Sequence, residues 1–318
     1  MKRKQSGFKI MMRLIKLVKP LAFFMVLAVI LGVTGFLCAI QITVVGSMTL
    51  LTAAGINGGL AIKTGCICII IFAVLRGFLH YGEQACNHYI AFKLLALIRD
   101  KVFKSLRRLT PAKLEGKDKG NLISLITSDI ELLEVFYAHT ISPICIAFLT
   151  SLVMLIFIGR YSSWLMLVAL AAYITVGIII PLVSSKFNKN IGMTYRENSG
   201  ALSGYVLDSM RGLLESIRYN STDTRLNEMN EKTDELNSLQ KKLKKIEGHN
   251  ISITDISIIF FSITMLLVAI CLYQKGTIGF DGLIVSTVAM MSSFGPVAAL
   301  SNLAGNLTHT LASGERVL

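Results

Sequence analysis

Arg76, His80, Glu83, Gln84 and Asn87 stand in one largely apolar stretch, spaced i, i+4, i+7/i+8 and i+11, with His88 beside the last. That spacing puts them on one stripe of a helix. Ionisable side chains are expensive in an apolar medium and mark functional positions there. The stripe carries donors, acceptors and one carboxylate, which is the chemistry of a polar ligand surface or pathway. A plainer alternative stays open: the lower half of the helix leaves the apolar medium, and Arg76 pairs with Glu83. Asn302, Asn306 and His309 repeat the pattern at i, i+4, i+7, and there the alternative is hydrogen bonding between helices. Gln41 with Thr43 is a sparser version of the same idea. Met290, Met291, Ser292 and Ser293 read as packing.

Other chemistries find no footing. No Gly-x-x-x-x-Gly-Lys-Ser/Thr occurs in the 318 residues, so no loop of this kind can cradle a nucleotide phosphate. Leu202-Ser203-Gly204 is a chance run in a helix-forming stretch. The six cysteines, Cys38, Cys66, Cys68, Cys86, Cys145 and Cys271, all fall in or beside apolar runs. They read as small buried hydrophobes, without the paired spacing of a zinc site. No metal site is expected. Asn220-Ser221-Thr222 fits a glycosylation acceptor pattern but falls in a stretch expected on the cytoplasmic side.

The elements that must position these residues follow from composition and charge. The chain is 53% hydrophobic and 16% charged, well below the charge of a soluble domain. Its net charge of +13 is not that of a nucleic-acid binder, because the charge is blocked along the chain. Seven of the 32 Lys and Arg residues precede Pro20, nine lie between Lys93 and Lys119, and eleven between Lys186 and Lys245. Between the blocks lie pairs of apolar runs whose other ends carry only Lys63, Arg160 and Lys275. Basic residues are retained on the cytoplasmic side. The pattern therefore predicts an integral protein of a bacterial-type plasma membrane with six spans and both termini cytoplasmic.

Spans need about 20 apolar residues. They are expected at about 21–45, 64–90, 141–158, 164–183, 251–273 and 283–303, as one all-α domain over 1–318. The basic run before the first span lacks a cleavage site and is no signal peptide. The outer connections are short and Gly-containing. The cytoplasmic ones, about 91–140 and 184–250, are long and helix-patterned. Leu94, Leu95, Ile98, Val102 and Leu106 share a face until Pro111, and Met229, Leu236, Leu239, Leu243 and Ile246 form a heptad-like seam. Two helical arms, each turning far from the membrane, are the expectation.

Two deep helical inner loops, after spans two and four, resemble the layout of ABC exporter transmembrane domains. Arg99 to Asp129, Gly212 to Met229 and the Phe294-Gly295-Pro296 to Glu315-Arg316 ending are similar to that family in order and spacing. The resemblance implies two short coupling helices against an ATPase, one with Pro111, Lys113, Glu115 and Lys117, the other over about 217–225 with Arg218, Asn220, Asp223 and Arg225. It implies a second transmembrane half, as homo- or heterodimer, and ATP with Mg through an ATPase domain fused downstream or carried separately. That domain is missing from these 318 residues, so the chain is expected not to be catalytic alone. It implies a central pathway lined by Gln41, His80, Glu83, Asn87, Asn302, Asn306 and His309. Arg76, Tyr81, Glu83 and His88 form Arg-x4-Tyr-x-Glu-x4-His, similar to a subunit of the heterodimeric cysteine and glutathione exporters linked to cytochrome bd assembly. In that subfamily a haem binds among the spans. By position its ligand would be His88, with Arg76 for a propionate or for fixing the ligand. Two other classes stay open: a membrane receptor signalling through 226–246, and an ion-coupled carrier. The two inner arms count against the first. The lack of paired Gly/Pro interruptions in mid-span counts against the second.

Overall fold

The computed structural model describes residues 19–56, 59–109, 130, 131, 133 and 140–317, with side chains described up to Ser301 apart from 19, 109, 186–190, 193 and 196. Among them the fold is all-α. After a short 3-10 turn at Lys19–Leu21 come α1 (Ala22–Ala53), α2 (Ile62–Leu109), α3 (Ser142–Gly159) and α4 (Ser163–Ile174). A π turn at Thr175–Ile179 leads into α5 (Ile180–Arg211), followed by the short α6 (Leu213–Arg218), α7 (Thr222–Gln274) and α8 (Phe280–Val317). Six stretches are long and apolar enough to cross a membrane: Ala22–Ala53, Ile62–Arg108, Ser142–Gly159, Ser163–Ser185, Thr222–Gln274 and Phe280–Ser301. Each contains or closely overlaps a span read from the apolar runs. Ile70, Val74 and Phe78 on α2, and Ile256, Phe260 and Ile263 on α7, are more than half exposed. Such apolar surface is untenable in water and natural in lipid, as befits an integral membrane protein.

Local chemistry sets the breaks. Gly55 and Gly276 take φ of +78° and +72° at two turns, a conformation that a side chain resists. Ser162 caps α4 by accepting a hydrogen bond from the Trp164 amide at 3.3 Å. The π turn has its cause in Pro181. Lacking an N–H, it cannot bond the Gly177 carbonyl, and the Ile180 amide instead bonds Thr175 O, five residues back.

The chain divides into two compact units, Met1–Pro181 with Thr254–Leu318, and Leu182–Ile253. In the first, a large core joins Ile40 and Val44 of α1, Met154 and Ile158 of α3, Ala169 and Tyr173 of α4, Met265 and Ala269 of α7, and Met290 and Phe294 of α8. A smaller core gathers Leu21 and Ile90, Leu94, Leu95 and Ile98 of α2 with Ile130 and Leu133. The predicted periodicity of 94–98 is thus spent on packing. Burying each such side chain is worth about 1.5–3 kcal/mol.

The second unit is an antiparallel helix pair. Asn198 donates to Glu235 at 2.9 Å, Tyr205 to Glu228 at 2.6 Å, and Arg225 to Ser209 at 3.1 Å. These links march in opposite directions along α5 and α7, so the two strands of the pair are in register. The predicted short helix at 217–225 sits earlier, as α6 at Leu213–Arg218. Asn220, with φ of +52°, turns the chain out of helix, as Asn can in this region. Thr222 then begins α7.

Candidate functional site

The polar stripe of α2 does not act as one surface. α1 and α2 run antiparallel: a Cβ on Gly32 would meet Glu83, one on Gly35 would meet Leu79 and His80, and one on Gly65 would meet Thr49. Because Gly32 has no side chain, the Glu83 carboxylate can lie against α1, 5% exposed, with Asn87 one turn on at 2%. His80 stays largely outside and reaches back, its Nδ1 3.2 Å from Glu83 Oε2. Asn87 Nδ2 donates to Glu83 Oε1 at 3.4 Å. The alternative of an Arg76–Glu83 pair does not form, since the partners of Glu83 are His80 and Asn87. Seven residues put these groups about 10 Å apart along the axis, Glu83 turns inward to His80 and Asn87, and Arg76 faces outward, exposed.

Gln41 is half-buried on α1, nine residues beyond Gly32 and so about 13 Å further along the helix. It does not join the Glu83 cluster. The side chains of Asn302, Asn306 and His309 lie outside the described residues. Nearby polar groups of α8 that are described serve helix–helix bonding: Ser293 Oγ lies 2.5 Å from the Tyr173 hydroxyl, and Ser301 Oγ lies 2.9 Å from Thr254 Oγ1, both pairs buried. Sequence reading took Ser293 as packing and passed over Tyr173, Thr254 and Ser301. A lone Tyr in an apolar run was the available signal.

His88 is exposed and stacks on Phe92, ring centroids 6.0 Å apart. Arg76 is twelve residues away, about 18 Å along the axis. Among the described residues no group of three or more His, Cys, Asp or Glu side chains could hold a metal. An exposed imidazole backed by one ring, with its expected partner three turns distant, does not make a haem pocket.

At the turn of the second unit, α6 holds Ser216 inward, its hydroxyl bonded to Gly212 O at 3.0 Å. Its other side chains point out: Leu214 is 73% exposed, Ile217 58% and the following Tyr219 80%. The resemblance implies Arg218, Asn220, Asp223 and Arg225 as the contact residues here. Arg218, Asn220 and Asp223 are indeed exposed, but Arg218 only forms a loose 3.7 Å pair with Glu215, of small energetic value. Arg225 is half-buried. Its guanidinium bonds Ser209 and lies 5.7 Å over the Tyr205 ring, so it braces the arm. The Glu228 carboxylate, accepting the Tyr205 hydroxyl, holds that phenol above the ordinary tyrosine range. Pro111, Lys113, Glu115 and Lys117 lie outside the described residues.

Residues 21–297 match the family described as ABC transporter transmembrane region. A probable ABC transporter ATP-binding/permease protein of Haemophilus influenzae is 45% identical over 99% of this chain and 57% of its own length. More distantly, a glutathione/L-cysteine transport system ATP-binding/permease protein of Bacillus subtilis is 25% identical over 62% of this chain and 34% of its own. An ATP-dependent lipid A-core flippase of Colwellia psychrerythraea is 29% identical over 56% and 29%. The chain spans little more than half the length of the first of these relatives and about a third of the others.

Proposed function

Because the chain belongs to the ABC transporter transmembrane family, we propose that it is the membrane half of an ATP-driven exporter, coupled to its ATPase through the exposed elbow of α6. The observation that carries this reading is the cluster of exposed large apolar side chains at the elbow, Leu214, Ile217 and Tyr219 with Met210, Leu213 and Leu226 beside them. A monomer gains nothing by presenting them to water. A docked ATPase domain would cover them. The naming of the Haemophilus relative as both ATP-binding and permease, and the length it has beyond this match, support such a domain as the partner. Polar residues Arg218, Asn220 and Asp223 would form the rim of that contact, and Pro111 to Lys117 a second contact. ATPase closure would then move the arms as rigid levers and tilt the spans.

The remaining parts of the reading follow the same logic. Both termini and both arms face the cytoplasm, where the basic blocks lie. A second transmembrane half covers the apolar face of α7. The substrate is a small thiol of the cysteine or glutathione kind, a choice supported by the Bacillus relative and by the Arg76-Tyr81-Glu83-His88 pattern, with a lipid substrate as the rival that the flippase relative suggests.

The test uses inside-out vesicles bearing the full transporter. Leu214→Asp with Ile217→Asp is expected to abolish ATP-dependent uptake of labelled glutathione while basal ATP hydrolysis persists. Unchanged transport in that variant overturns the elbow as the coupling surface. Uptake that survives ATP depletion and collapses with the ion gradient overturns the exporter reading in favour of a carrier.

A further inference from the structure

The helix register sets two polar side chains at one buried level, a helical turn from a third. α1 and α2 are antiparallel, with Gly32 opposite Glu83 and Gly46 opposite Ile69. Stepping back four residues from Gly32 and forward four from Glu83 sets Ala28 opposite Asn87. α1 and α3 run parallel, with Gly32 against Ile146, and with Ile40 and Val44 sharing a core with Met154 and Ile158. Stepping back four from Gly32 and Ile146 sets Ala28 opposite Ser142. Ala28 and Ser142 are 0% exposed, and Asn87 is 2%. Two of the polar atoms at this level, Asn87 Oδ1 and Ser142 Oγ, have no hydrogen-bond partner among the described residues.

The chemistry of the gap is acceptor-rich. Asn87 cannot be turned over to relieve it, since its Nδ2 donates to Glu83 Oε1 and the reversed amide would set oxygen against carboxylate. Leaving a buried polar atom unpaired is destabilising, and Asn87 holds one of the two beside the Glu83 carboxylate inside the membrane domain. The Ser142 hydroxyl, a donor as well as an acceptor, does not reach Asn87 Oδ1, since both atoms stand unpaired, so a group held between them would satisfy both. The close contacts of Gly32, where an added Cβ would lie 2.9 Å from Ile146 Cγ1 and 3.2 Å from Glu83 Cδ, leave room only for something small.

We infer that Glu83, Asn87 and Ser142 form an intramembrane binding site for a small monovalent cation, with Na+ as the ion. Hard cations take oxygen ligands, and a carboxylate, an amide oxygen and a hydroxyl supply them here. One carboxylate balances one charge. The close approach of α2 and of α3 side chains to α1 at Gly32 favours Na+ over the larger K+. His80 closes the carboxylate's other oxygen from the exposed side. This site stands on the register and the orphaned atoms, and does not depend on what is transported.

The test is thermal unfolding of the detergent-solubilised protein at fixed pH and ionic strength, with NaCl replacing choline chloride. Na+ at ten times its dissociation constant is expected to raise the apparent Tm by about 3 °C, and K+ by less. Glu83→Gln keeps the shape and is expected to remove the response. Equilibrium dialysis against 22Na+ is expected to give one ion per chain in the parent protein and several-fold weaker binding in Ser142→Ala, a readout that stands even if Glu83→Gln fails to fold. Equal Tm in Na+, K+ and choline, a Na+ response untouched by Glu83→Gln, or 22Na+ binding unchanged in Ser142→Ala each overturn the inference and leave the level to water alone.

Discussion

Replacing Gly65 with Ala tests how closely α1 and α2 must approach to hold the Glu83 register. Gly65 lies in the first turn of α2. An added methyl would stand 3.0 Å from Thr49 Cβ and 3.1 Å from Cγ2, and would overlap Oγ1. Thr49 has little freedom to yield. It is buried and β-branched, and its hydroxyl donates to Val45 O at 2.7 Å. Overpacking of this kind costs about 1–3 kcal/mol, and loss of the hydroxyl bond adds about 1 kcal/mol. Helix propensity returns about 1 kcal/mol to Ala over Gly. The net is a destabilisation of about 1–3 kcal/mol, read as a fall in apparent Tm of roughly 5 °C. The internal control is Gly77→Ala, on the same helix with nothing within 4 Å of the added atom, which should be neutral or slightly stabilising. Thr49→Ala removes the overlapping atoms, so Gly65→Ala in that background should cost little, giving a coupling of at least about 1 kcal/mol. Thermal unfolding of the four proteins in one detergent measures it. A Gly65→Ala as mild as Gly77→Ala, or a cycle additive within about 0.5 kcal/mol, would refute the close-approach argument.

Three further outcomes are expected. Ser293→Ala should destabilise more than Tyr173→Phe, by about 1 kcal/mol, because the first leaves a buried tyrosine hydroxyl unpaired whereas Ser293 keeps its bond to Met290 O at 2.7 Å; the same unfolding assay checks the order. The Tyr205–Glu228 link raises the phenol above its usual value, so its contribution is whole below pH about 10 and is lost as pH rises through the raised value; hydrogen exchange of the 205–228 region should loosen in that range, and not in Tyr205→Phe. The purified protein should show no stoichiometric Soret band, and a band removed by His88→Ala would contradict the absence of a haem pocket on α2.

Six spans were legible because each needs only a run of apolar residues bounded by charge, and both signals are local. The second arm was legible for a similar reason, since its helical period persists through the polar stretch. The segment 217–225 singled out by the resemblance falls on the end of α6, the turn at Asn220 and the start of α7, a break that helical periodicity alone does not mark.

What the sequence determined by itself is therefore the all-α class, the number of crossings and the identity of the costly polar residues, since burial of apolar runs and retention of basic blocks do not depend on partners. Tertiary structure alone decided which of those polar residues act together. Helical spacing aligned Arg76, His80, Glu83 and Asn87 equally well, and only the packing of Gly32 and Ile146 against α2 drew Glu83 and Asn87 inside and left Arg76 outside. Contacts between helices are set by small residues that permit close approach, as Gly32 does for Glu83 and Ile146, and no local pattern encodes which helix will supply the opposing surface.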